Sequence, residues 1–172
     1  MATTAPRTHV ISASARLNAS PHRVYEIIAN YRTGHPRILP KQFRNLTVEK
    51  GGVGAGTVIS FQIKVLGRTD TIRAEITEPE PGRVLLERNI LGSDSVTTFT
   101  VEPGAQPTEA VVTIQTELKV RGGWAGAIER FVTERVLRPM YAEELRLLEA
   151  VAADPHGTAA AAAPRGSMTA RP

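Results

Sequence analysis

Six apolar-patterned segments follow one another over 43–50, 57–65, 69–77, 83–91, 95–102 and 110–120, and no break between them is long enough for a parallel crossover. The breaks fall at 51–56, 66–68, 78–82, 92–94 and 103–107, and each holds glycine or proline. A parallel connection needs a dozen residues or more, so this run of short turns dictates an antiparallel meander. Doubly wound and barrel folds built from βαβ units are thereby excluded.

Helices frame the meander. After a first strand over 10–17, Ser20 is placed to cap a helix and Pro21 to occupy its first turn, where a missing N–H costs nothing. Val24, Ile27, Ile28 and Tyr31 then recur at the spacing of one helical face, and Gly34 and Pro36 end it, with one more turn predicted over 35–39. Beyond Gly122-Gly123 the pattern predicts a long helix over 124–151, about 40 Å from end to end. Ile128, Phe131, Val132, Val136, Met140, Tyr141, Leu145 and Leu148 give it a broad apolar face, and Pro139 is expected to kink it against the carbonyl of Arg135.

Alternation sorts the strands into faces. Ile59, Phe61, Ile63 and Val65 share one side, as do Ile72, Ala74 and Ile76, then Thr97, Phe99 and Val101, then Val112, Ile114, Thr116 and Leu118. The 83–91 segment reads two ways. With Val84 and Leu86 inward, Arg88 and Ile90 follow them; Leu85, equally apolar, argues for the opposite register. On either reading the sheet has one apolar face, and the long helix carries the stripe to cover it.

With 172 residues the chain suits one domain, expected over 8–153, between disordered ends at 1–7 and 154–172, where large apolar side chains are almost absent. Cysteine is absent, which excludes disulfides, thiolate metal sites and a cysteine nucleophile. The net charge of +4 is dispersed, and four Phe, three Tyr and one Trp are too few for a stacking surface, so no nucleic-acid partner is expected. No apolar run approaches the roughly 18 residues of a membrane span and the N-terminus lacks a signal-peptide core; no membrane insertion and a cytoplasmic location are the expectation.

Local motifs sharpen the architecture. Ser20-Pro21 followed by Val24-Tyr25-Glu26-Ile27-Ile28, Gly54-Ala55-Gly56-Thr57 before a strand, the stretch 77–84, and Thr97-Thr98-Phe99-Thr100-Val101-Glu102-Pro103 resemble the START-like, SRPBCC superfamily in its polyketide cyclase/dehydrase branch, over about residues 8–152. The resemblance implies an α+β helix-grip fold: a curved antiparallel β-sheet wrapped around a long C-terminal α-helix, with a short helix after the first strand. It also implies an apolar cavity between helix and sheet. The superfamily includes lipid carriers, hormone receptors, cyclases and co-chaperones, so fold does not by itself give activity. Its aromatase/cyclases set polar groups, arginine and tyrosine among them, around a folded poly-β-keto chain; Arg88 and Tyr31 are loose counterparts.

The expected ligand-binding set is Tyr31, His35, Phe61, Ala74, Arg88, Thr97, Phe99, Thr116, Val136 and Met140, with the cavity mouth near Tyr31 and His35. Arg88 either clamps a carbonyl or carboxylate or stands exposed at the sheet edge. Asp70, Glu75, Glu87 and Asp94 are assigned to outward faces or turns, leaving no inward carboxylate pair. The glycine cluster at 51–56 precedes a β-rich stretch instead of opening a helix, which argues for a flexible hairpin over a phosphate cradle. His9, His22, His35 and His156 have no metal-ligand spacing, so neither metal nor cofactor is expected. The leading functional reading is binding of a small, mostly apolar molecule (polyketide, lipid or aromatic metabolite) by a monomer or homodimer. A cofactor-independent cyclase, aromatase or dehydrase working by proton transfer is the alternative, and a protein-interaction module similar to the co-chaperone branch the second.

Overall fold

The computed structural model describes the backbone over 7–120 and 123–154 and the side chains over 8–119 and 133–154. The ends expected to be disordered lie, but for Arg7 and Asp154, outside the described residues, as do the side chains of Ile128, Phe131 and Val132. The elements run β1 (Arg7–Leu17), α1 (Pro21–Ala29), a 3₁₀ turn (His35–Arg37), β2 (Phe43–Lys50), β3 (Val58–Val65), β4 (Arg68–Glu80), β5 (Val84–Leu91), β6 (Ser95–Pro103), β7 (Ala110–Val120) and α2 (Gly123–Ala153). Ser20 caps α1 as expected, its hydroxyl accepting the Arg23 N–H at 3.3 Å. α2 is assigned as one helix through Pro139.

All strand pairs are antiparallel, in the order β1-β7-β6-β5-β4-β3-β2. Each hairpin pairs with the next, and β1 returns to pair with β7, leaving β1 and β2 at the edges. This is the helix-grip arrangement. The predicted inward rows hold: Phe61 lies opposite Ile72, Thr97 opposite Thr116 and Phe99 opposite Ile114.

In β5 the second of the two registers is the one adopted. Leu85 lies opposite Phe99 and Glu87 opposite Thr97, and directly opposed residues share a face, so Leu85, Glu87 and Asn89 point inward. Arg88 is exposed and pairs with Val96 on the outer face, so its expected place in the binding set is corrected; so is the outward assignment of Glu87. The physical reason is local. Val84, Leu85 and Leu86 are all apolar and carry no alternation, while the fully buried Leu85 is the one the core accepts.

The C-terminal half of α2 closes tightly on the sheet. Leu145, Leu148 and Val151 join Val24 and Ile28 of α1, Ile11 and Leu17 of β1, and Val101, Val112 and Ile114 in one buried cluster. α1 packs against β6, β7 and α2 and so acts as a wedge at this end of the molecule. A salt bridge of 3.1 Å from Arg37 to Asp154 and a bond from Arg23 to the Asp154 carbonyl fasten the end of α2 beside α1.

Candidate functional site

Among the described residues nothing comparable to α1 fills the space under the other half of α2. A cavity of about 300 Å³ lies there, walled by Ile59, Phe61, Ile63 and Val65 of β3, Ile72 of β4, Phe99 of β6, Leu118 of β7, and Val136 and Leu137 of α2. This is the lower end of the usual ligand-site range. The walls are apolar; polar groups gather at the inner end and along one side.

The chain leaving α1 builds the inner end. The last carbonyls of a helix lack partners within it. Here the Glu26 carbonyl accepts the Asn30 N–H, the Ala29 carbonyl accepts the Gly54 N–H at 2.9 Å, and the Ile28 carbonyl faces His35 Nδ1 at 2.8 Å. A carbonyl only accepts, so Nδ1 carries a hydrogen and the neutral ring presents a bare Nε2. Asn30 shapes the turn that delivers the ring: its side chain accepts the N–H groups of Arg32 and Thr33 at 3.0 Å, and its carbonyl accepts those of Gly34 and His35. Gly34 is required there, since a Cβ would sit 2.5 Å from the Ile27 carbonyl oxygen.

The glycine cluster joins antiparallel β2 and β3 as the expected hairpin, and it also supports this turn from outside. Tyr31 N–H donates to the Gly52 carbonyl at 2.9 Å, Val53 bridges Asn30, and the Glu78 carboxylate accepts the Ala55 N–H at 2.7 Å. Gly54 has φ +59°, and a Cβ on it would meet that carboxylate. The loop is a clasp that fixes Tyr31 and, four residues on, His35.

His35 is 3% exposed, stacks on Tyr31 with ring centroids 4.4 Å apart, and meets the edge of Phe99. Its Nε2 lies 3.6 Å from Glu87 Oε1, the same oxygen that accepts the Tyr31 hydroxyl at 2.5 Å. Burial and the Glu87 charge hold Tyr31 well above the usual tyrosine pKa, so it stays a hydrogen donor. Opposite, from α2, comes Glu144, also 3% exposed. Burial first, then repulsion by Glu87, pushes its carboxyl well above the usual carboxylate range, and no described residue forms an ion pair or hydrogen bond with it. Tyr141, one turn earlier on α2, shares a 2.5 Å bond with Thr116, which continues to Thr97 at 2.7 Å. Towards the open end Asn89 donates to Ser93 and Ser95 at 3.0 and 2.8 Å.

His35, Phe61, Thr97, Phe99, Thr116 and Val136 of the expected set line the cavity. Tyr31, Ala74 and Met140 are buried but stand behind the lining, and Arg88 is outside it. Among the described lining residues Ser93, in the β5–β6 turn, is exposed, whereas Tyr31 and His35 are buried. The expected mouth residues Tyr31 and His35 are thus buried at the inner end, which corrects their placement at an opening. Glu87, Asn89, Tyr141 and Glu144 were not anticipated in the site. The signal for Glu144 was present: it falls four residues after Met140 and four before Leu148, a carboxylate inside an apolar stripe. For Glu87 the signal was Leu85, two residues earlier on the same face.

Among the described residues no three His, Cys, Asp or Glu side chains are placed to hold a metal ion, and no helix is long and apolar enough to cross a membrane.

No curated protein matches the chain. Among solved structures it is similar to the KanY protein (TM-score 0.73, 26% identity, covering 87% of this chain and 99% of that one). It is also similar in fold to the ZhuI aromatase/cyclase of Streptomyces sp. R1128 (TM-score 0.70, 14% identity, 85% and 94% covered) and to a START superfamily protein of Mycobacterium smegmatis (TM-score 0.66, 12% identity, 83% and 95% covered). The sequence profile of the family described as polyketide cyclase / dehydrase and lipid transport matches residues 8–153, so the chain belongs to that family.

Proposed function

We propose that the protein binds a small, mostly apolar molecule in the cavity between α2 and the sheet, with the polar end of that molecule at the His35–Glu87–Glu144 floor. The observation that carries this reading is the distribution of polarity: apolar walls from β3, β4 and α2 lead to titratable groups gathered at the buried end. Apolar pockets with a few placed polar groups are the usual form of a small-molecule site. The test is titration with an uncharged apolar dye such as Nile red, whose fluorescence rises on leaving water. Binding is expected at about micromolar Kd, near −8 kcal/mol. Val136→Trp, which fills the lining from α2, abolishes it while the protein stays folded. A wild type that leaves the dye in water overturns the reading.

The His35–Glu87 pair supports a second reading, proton-transfer chemistry on a β-keto ligand. His35 Nε2 is bare in the tautomer fixed by the Ile28 carbonyl, and Glu87 stands 3.6 Å away to balance an imidazolium. In this reading Nε2 takes a proton from a methylene between two ketones. The enolate carbon forms a C–C bond to another ketone of the same chain, and the resulting alkoxide takes the proton back. Loss of the hydroxyl with one further proton, as water, then leaves a double bond in the closed ring. His35→Gln is then expected to slow cyclisation of a linear triketone on the order of 100-fold or more. Equal rates with and without His35 reject the chemistry and leave the binding reading standing.

A further inference from the structure

Charge at the cavity floor narrows the ligand beyond its apolar body. The described lining contains two carboxyl groups, Glu87 and Glu144, and no lysine or arginine. Glu87 has partners: it accepts the Tyr31 hydroxyl and lies beside His35 Nε2. Glu144 has none among the described residues, although it is 3% exposed and lines the cavity. A buried carboxyl without a partner is costly unless it is protonated or a partner arrives. His35, Phe99 and Tyr141 also line the cavity. A carboxylate-headed ligand would find Glu87 there and no cationic side chain among the described residues to offset the repulsion.

We infer that the floor of the cavity is a receptor for a protonated amine carried on an apolar body, with Glu144 as its counter-ion. This rests on the cavity reading above but not on the proton-transfer chemistry. The titratable groups that interact with Glu144 are Glu87 from β5, Tyr31 and, on α2 itself, Tyr141; His35, from the 3₁₀ turn, lines the same cavity beside Glu87. Burial and Glu87 push its carboxyl well above the usual carboxylate range, so arrival of an ammonium group shifts Glu144 towards its ionised form. The proton goes to the buffer, and affinity for the amine rises with pH until the amine itself deprotonates.

The experiment uses the full chain and three ligands with one naphthyl body: naphthylethylamine, naphthylethanol and naphthylacetate, each competing against Nile red at pH 7. The amine is expected to bind about tenfold more tightly than the alcohol, and the carboxylate about tenfold more weakly. Calorimetry in buffers of different ionisation enthalpy is expected to show proton release with the amine and none with the alcohol. In Glu144→Gln, shown to be folded by its circular dichroism, the amine falls to the alcohol's level and proton release disappears. The inference is overturned if the carboxylate binds as well as the amine, or if the amine's preference survives Glu144→Gln. Failure of the dye itself to bind removes the cavity reading and this inference together, whereas a bound dye with no charge preference removes this inference alone.

Discussion

The two halves of α2 face the same sheet and meet opposite fates. Around Leu145, Leu148 and Val151 the helix packs with residues of α1, β1, β6 and β7 in one buried cluster. Around Thr133, Val136, Leu137 and Tyr141 it stands off from β3, β4 and β7 across about 300 Å³. Both halves carry apolar side chains on the covering face, so hydrophobicity does not separate them. What does is α1, which occupies one end of the gap between a long helix and a twisted sheet and leaves the other end free. α1 serves both halves: its packed face belongs to the closed half, and the Ile28 carbonyl near its end orients His35 in the floor of the open one.

The largest effect that breaks the comparison is truncation on either side of it. Leu148→Ala in the closed half is expected to cost about 2–5 kcal/mol, because it removes a fully buried side chain and leaves a void. Ile63→Ala in the open half is half-buried beside space that already exists, so the void term is missing and the cost falls to about 1 kcal/mol. Urea unfolding midpoints read the difference. Equal costs mean that the open half is packed in solution and the contrast is lost.

The same contrast marks how far the sequence could be read. Element order, the antiparallel meander and the inward rows of β3, β4, β6 and β7 follow from turn spacing and period-two alternation, since each turn holds glycine or proline and each row alternates cleanly. Residues of the closed half were legible for the same reason. The floor was less so. Glu87 sits in the strand where three consecutive apolar residues erase the alternation, and Glu144 is a carboxylate at a position where apolar patterning predicts burial but charge predicts exposure. His35 was visible as a loop histidine, but its burial depends on the docking of the 51–56 loop, a long-range contact that no local pattern encodes. The residues that broke the local rules are those at the site, which is where such conflicts are expected.

Glu144 stands where the two halves meet, between Tyr141 of the lining and Leu145 of the core, and a pH series sharpens that boundary. Its folded pKa is raised above the unfolded value of about 4.3. The folded state therefore holds the proton more strongly, and the associated stability is complete below the unfolded pKa and lost as pH rises through the folded one. Relative to Glu144→Gln, the wild type is expected to fare best in acid and progressively worse towards pH 8, where the variant has the higher Tm. Groups common to both proteins cancel in the difference. A difference that is flat with pH would place Glu144 in water and move the boundary.

The smallest expected effect is at Arg88, and its smallness is the point. A register in which Val84 and Leu86 face inward makes Arg88 a buried clamp. Its removal would then weaken ligand binding and leave a polar void. In the register adopted, Glu87 and Asn89 occupy the lining, and Arg88 pairs with Val96 on the exposed face. Arg88→Ala should thus change stability by no more than about 0.5 kcal/mol, as for exposed substitutions generally, and leave dye affinity within about twofold. Glu87→Ala, one residue away, removes the acceptor of the Tyr31 hydroxyl and the neighbour of His35 Nε2, and is expected to cost more on both measures. If the order of these neighbours is reversed, β5 is shifted by one residue, and the carboxylate leaves the floor along with the base–carboxylate pair built on it.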